Sequence, residues 1–176
     1  KYPAKSALEV ILTTLHSGGK FKEGAYRTAG GLHGVGISVV NALAAELEVE
    51  VVRERRLWRQ RFCRGTPVGA LEDAGAIHNR RGTRLKFLPD PEIFKHGDRF
   101  RPERLHRMAR SKAYLFRGVE IRWSADAEAL GADAEVPARE TFHFPGGLKD
   151  FLAGITAERG LVGDAVFAGE SELADD

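Results

Sequence analysis

Seven residues carry the most chemistry in this sequence: Gly30-Gly31-Leu32-His33-Gly34-Val35-Gly36, directly ahead of an apolar run that begins at Ile37. Glycines at this density let the backbone take positive φ and leave amides unshielded by a Cβ. The start of a helix adds partial positive charge, so such a segment suits phosphate. On spacing alone, a flexible linker ahead of an ordinary helix start fits equally well. The segment is no dinucleotide fingerprint, because no strand precedes it within reach, and no Gly-Lys-Ser/Thr follows to make a Walker A loop.

Other candidate groups are weaker. His16, His33, His78, His96, His106 and His143 lack the spacing of a metal site. One cysteine, Cys63, makes neither an internal disulfide nor a thiolate cluster, and reads as a small buried apolar residue. Arg53, Arg55, Arg56, Arg59, Arg61 and Arg64 interleave with Trp58 and Phe62, as in a track for DNA phosphates. Arg99, Arg101, Arg104, Arg107 and Arg110 with Lys112 give a second basic face. The commoner origin of either stripe is the solvated face of an amphipathic element.

The elements that position these groups follow from periodicity. Ser6 and Glu9 form a capping box, and Leu8, Ile11, Leu12 and Leu15 predict a helix over 6–16, ended by Gly18-Gly19. The connection over 18–36 is polar, glycine-rich and longer than a turn, the length of many binding loops. Ile37, Val40 and Leu43 or Ala44 predict a second helix, with Asn41 on it as a packing residue. Leu47, Val49 and Val51 alternate with Glu46, Glu48 and Glu50, a half-buried strand that turns near Arg55-Arg56 and returns over 57–62. Residues 65–82 are turn-rich, and 83–87 is a strand stopped by Pro89-Asp90-Pro91. A helix over 101–114, with Leu105, Met108 and Ala109 inward, precedes a strand over 119–123. An exposed loop over 125–139, a strand over 141–144 and a helix from 148 complete the order. This predicts an α+β sandwich, with helices on one face of a mixed or antiparallel sheet.

Composition agrees with a folded chain: 176 residues, 43% hydrophobic and 30% charged, with a net charge of +2. Apolar runs are too short to span a bilayer, and the first residues lack a signal peptide's apolar core. These features predict a soluble protein of a reducing, cytoplasmic compartment.

At Leu12-Thr13-Thr14-Leu15-His16-Ser17-Gly18-Gly19-Lys20-Phe21, the glycine segment, and Ile37-Ser38-Val39-Val40-Asn41-Ala42-Leu43, the sequence resembles the ATPase region of bacterial type IIA topoisomerase B subunits. Arg81-Gly82-Thr83-Arg84-Leu85-Lys86-Phe87 looks like that family's Gly-Thr strand motif. Ser111-Lys112-Ala113-Tyr114-Leu115 and Gly118-Val119-Glu120-Ile121 look closer to topoisomerase IV than to gyrase. The likeness runs in order along nearly the whole chain.

The resemblance implies a GHKL (Bergerat) ATPase fold and the cofactors ATP and Mg²⁺. It makes 30–36 an ATP lid, with Gly30, Gly31, Leu32, His33, Gly34, Val35 and Gly36 around the β- and γ-phosphates. Lys20 matches the lid lysine near phosphate, Tyr26 the tyrosine that contacts nucleotide, and Thr83 the threonine near adenine. The family's catalytic Glu, its Mg²⁺-binding Asn and its Asp-x-Gly-x-Gly motif match nothing here. Asp73-Ala74-Gly75 is the nearest approach to that motif, in the wrong context. The expectation is an internal fragment, inert alone: residues 1–144 the later part of the ATPase domain, 145–176 the start of a transducer domain. Implied partners are DNA, the A subunit and a second copy through the ATPase domain. A nucleotide-binding or interaction module without catalysis, and another GHKL ATPase, are the alternatives.

Overall fold

In a computed structural model of the chain, which describes residues 5–17, 33–95, 100–131, 135–159, 161, 163, 167 and 169, helix α1 covers Ala7–Thr13. Ser6 caps it by accepting the Glu9 amide at 3.0 Å, while the Glu9 carboxylate pairs with Lys5 Nζ at 3.3 Å. The helix ends before the predicted His16. Thr13 turns its hydroxyl back onto the Glu9 carbonyl (2.8 Å), Thr14 is extended, and His16 has φ 56°. A hydroxyl that bonds its own helix in this way weakens the helix there. Leu15 therefore falls off the helical face and is exposed.

Helix α2 covers Gly36–Ala42 and leads straight into strand β1, Ala44–Arg53. Glu54 and Arg55 take φ of 54° and 61°, forming the tight turn into β2, Arg56–Cys63. A second tight turn at Arg64-Gly65 leads to β3, Thr66–Pro67. β4 is Glu72–Ala76 and β5 is Gly82–Pro89, so the stretch read as turn-rich holds two short strands. All pairings are antiparallel, in the order β3-β2-β1-β5, with β4 also on β2.

Alternation gives the sheet two different faces. Leu47, Val49 and Phe62 point to one side, where they bury with Leu12 and Ala44 against Leu8, Ile37 and Val40. Both helices thus cover this inner face. Burying one such side chain contributes on the order of 1.5–3 kcal/mol. The outer face carries Glu48 and Glu50, each with a basic neighbour on either side: Glu48 opposite Arg61 and Lys86, Glu50 opposite Arg59 and Arg84. Cys63, next after the inward Phe62, points outward and is exposed, contrary to the expectation from its residue type.

These elements make one compact unit, Lys1–Asp98; Arg99–Asp176 make another. The second unit has α3, Pro102–Leu115, and a hairpin of β6, Glu120–Ser124, with β7, Arg139–His143. A short helix α4, Ala127–Leu130, interrupts the expected loop, and α5 covers Leu148–Thr156. Ala113 and Phe142 are its buried centre, whereas Met108 is exposed rather than inward. Tyr114 stacks on Phe144 at 3.7 Å and meets Phe151 of α5 edge-on at 5.2 Å. Residues on both sides of the expected 144/145 boundary therefore lie in this second unit.

Candidate nucleotide site

Of the residues singled out from the sequence, Lys20, Tyr26, Gly30, Gly31 and Leu32 lie outside the described residues. His33, Gly34, Val35, Gly36 and Thr83 lie within them. Gly34 has φ 61°, the left-handed conformation that the glycine-rich pattern anticipates. Val35 is the N-cap of α2 and makes no side-chain capping bond, so no side chain of its own competes for the amides that open the helix. Backbone amides of this kind suit an anionic phosphate. Thr83 stands opposite Val51 in the β1–β5 register. Val51 packs against the inner core beside Ile37 and Val40, so Thr83 shares the face that α2 covers.

Two bonds hold the base of this arrangement. The Nδ2 of Asn41, fully buried on α2, donates to the Leu12 carbonyl of α1 at 3.0 Å. His16 Nδ1 lies 2.9 Å from the His33 carbonyl, and a carbonyl only accepts, so Nδ1 carries the proton. The first agrees with Asn41 as a packing residue. The second had no signal in the sequence, because its partner is a backbone atom on the far side of a long connection.

The outer face is an electrostatic cluster. Glu50 is buried among Arg59 (2.8 Å), Arg80 (3.0 Å) and Arg84 (3.9 Å). The bond from Arg59, then that from Arg80, holds its carboxyl below the ordinary value. Arg61 bonds Glu48 at 2.9 Å. Arg59 and Arg61 are therefore engaged with the sheet's own acids, while Arg104 and Arg107 lie exposed on α3. Asp90, also buried, accepts the Glu92 amide at 3.0 Å and is clamped by Arg64 at 2.6 Å, and both lower its pKa, the amide more. A groove of about 810 Å³ lies along one end of the sheet, lined by residues 45–48, 61–64 and 86–88 with Val68, and none of the sequence-predicted site residues lines it. Among the described residues, no group of three His, Cys, Asp or Glu side chains is placed to hold a metal ion. Nor is any described helix long and apolar enough to cross a membrane.

Comparison with known proteins relates the chain to one segment of a larger protein. The chain is 55% identical over 170 residues to the DNA topoisomerase 4 B subunit of Bartonella bacilliformis, covering 97% of the chain and 25% of that protein. Identity is 53% over 172 residues to its counterpart in Caulobacter vibrioides, covering 98% of the chain and 24% of that protein. For Rickettsia bellii it is 47% over 176 residues, 100% of the chain and 26% of that protein. The chain is a homologue of one segment of the bacterial topoisomerase B subunits. The chain spans about a quarter of the length of the curated relatives it matches. No family model matches it. Its fold is the GHKL ATPase sandwich. It matches the crystal structure of the 43K ATPase domain of Thermus thermophilus gyrase B, a complex with an aminocoumarin, with a TM-score of 0.68 and 34% identity. That match covers 91% of this chain and 37% of the other. The names of the curated relatives agree with the leaning to topoisomerase IV over gyrase.

Proposed function

We propose that this chain is ATP-binding structure within a type II topoisomerase, in its B subunit, where nucleotide binding and hydrolysis drive the passage of one DNA duplex through another. The identity of 47–55% along nearly the whole chain to B subunits of topoisomerase 4 carries this reading. Gly34 at φ 61°, ahead of a helix start without a side-chain cap, supports a phosphate-binding role for Gly30–Gly36. Lys20 and Tyr26 are assigned to phosphate and nucleotide contact, and Thr83 to the adenine side, by their match to the family motifs. ATP supplies the free energy, and Mg²⁺ neutralises its phosphates through ligands other than the residues described here.

Residues 1–144 are read as the later part of the ATPase domain and 145–176 as the lead into the transducer. DNA, the A subunit and a second copy of the B subunit are the partners, in the cytoplasm. The 176-residue chain alone is expected not to hydrolyse ATP, because nothing in its sequence matches the family's catalytic Glu or Mg²⁺-binding Asn. The test is ATP-dependent decatenation by the full-length protein with its A subunit, beside phosphate release by the 176-residue chain. Topology changes that need ATP support the reading; a full-length protein that binds no ATP and alters no DNA topology refutes it.

A further inference from the structure

We propose that Asn41 and His16 are positioning residues for nucleotide, a clasp that fixes the start of α2 against the end of α1. The inference rests on the nucleotide-binding reading above and adds two residues to which no nucleotide role has been given. The carbonyls in the last turn of a helix have no amide within that helix to accept from. Leu12 is in that turn of α1, and its carbonyl receives the Asn41 side chain from α2 at 3.0 Å. The second tie joins the same two places from the other end. His16, just past α1, lies 2.9 Å from the carbonyl of His33, three residues before α2 begins. Residues 17 and 33, where the long connection begins and ends, are thereby brought beside one another.

Asn41 is joined to this junction through its amide nitrogen. Its Oδ1 is buried and has no partner among the described residues. Leucine in this place would leave the Leu12 carbonyl without its donor. What asparagine adds is a directional bond, and here that bond sets where α2 stands relative to α1. The residues whose geometry depends on that placement are His33, Gly34, Val35 and Gly36, the described end of the proposed phosphate segment. A hydrogen bond is worth enough for each tie to shift affinity about three- to tenfold if its full effect falls on ligand geometry.

The test uses the full-length protein and a non-hydrolysable ATP analogue, with binding and thermal melts measured on the same preparations. Asn41→Leu removes the donor and the orphaned acceptor together, leaving the Leu12 carbonyl without that bond; His16→Gly removes the ring donor at an exposed position and keeps φ 56° without strain. Both variants are expected to bind the analogue about three- to tenfold more weakly than the unaltered protein. The Asn41→Leu melt is expected to fall, because the Leu12 carbonyl loses its donor, so affinity is read at a temperature well below both melts. Because both ties fix one junction, the double variant should lose less than the product of the two single losses. Unchanged affinity in both variants, with or without a lower melt, makes the ties structural and overturns the proposal. Failure of the unaltered protein to bind the analogue overturns the nucleotide reading itself, and the clasp's role with it.

Discussion

Replacing Gly34 with valine places a β-branched side chain at φ 61°, where such a residue is a genuine outlier. The strain is on the order of 1–3 kcal/mol. It has two ways to appear. If the backbone keeps its conformation, the folded state loses that stability and the melt falls. If the backbone relaxes, the melt holds but the amides around Gly34 leave the positions that suit phosphate. The strain must then be recovered on binding, and affinity drops about 5- to 150-fold. Titration of the full-length protein with a non-hydrolysable ATP analogue, beside thermal melts, separates the two. Gly69→Ala is the control, because a Cβ there meets nothing within 4 Å. An affinity within twofold of the unaltered protein, together with an unchanged melt, refutes the assignment of Gly34 to a phosphate-binding segment.

Phe62→Ala empties the centre of the inner core and should cost about 3–5 kcal/mol in urea unfolding; a loss below about 1 kcal/mol contradicts the packing. Gly147→Ala should cost about 1–3 kcal/mol, since Gly147 sits at φ 61°, ψ −124°, and a Cβ would stand 3.2 Å from the Tyr114 carbonyl. A melt equal to that of the unaltered protein counts against that turn geometry. The Asp90 and Glu50 carboxyls are held below their ordinary values, chiefly by the Glu92 amide and by Arg59 respectively. Their stabilisation is therefore present above the unfolded-state pKa and lost as pH falls through the lower folded-state pKa. Urea melts from neutral pH down to about 3 should show that decline below about pH 4, shallower in Glu50→Gln; equal slopes for both proteins would remove Glu50 from the account.

The sheet was legible because its strands alternate cleanly. The inward parity of Leu47, Val49 and Val51, and the hairpin near Arg55, follow from side-chain period alone. That parity also places Cys63 outside once Phe62 is inside, so the expectation of a buried thiol came from residue type where geometry had the answer. Alternation likewise puts Glu50 on the outer, solvated face, yet it is buried. Arginines from β2, β5 and the segment between β4 and β5 close over it, and no local pattern marks Arg80 as one of them. Helix α1 stopped short for a reason of the same kind. The Gly18-Gly19 stop was visible, but the earlier break depends on Thr13 bonding the Glu9 carbonyl and on His16 reaching the His33 backbone. In the site, the glycine pattern and the positive φ at Gly34 agree. The Asn41 and His16 ties join backbone to side chain across a long separation, which periodicity does not register.

The order of the strands also sets an order of events in time. β1 meets β2 across the turn at Glu54-Arg55, but reaches β5 only after residues 54–81 have been laid down between them. Closing a short loop costs less entropy than closing a long one, so the β1–β2 hairpin is the natural seed of the first unit. By the same entropy argument β5 is expected to dock after that seed and to bring with it Asp90, whose amide bonds the Leu43 carbonyl and whose carboxylate meets Arg64. Those two contacts join the far end of β5 to the end of α2 and to the turn after β2. Until they form, neither of those places is secured from that side. The strand expected to arrive last is thus the one whose contacts lock both junctions, and its loss would release them.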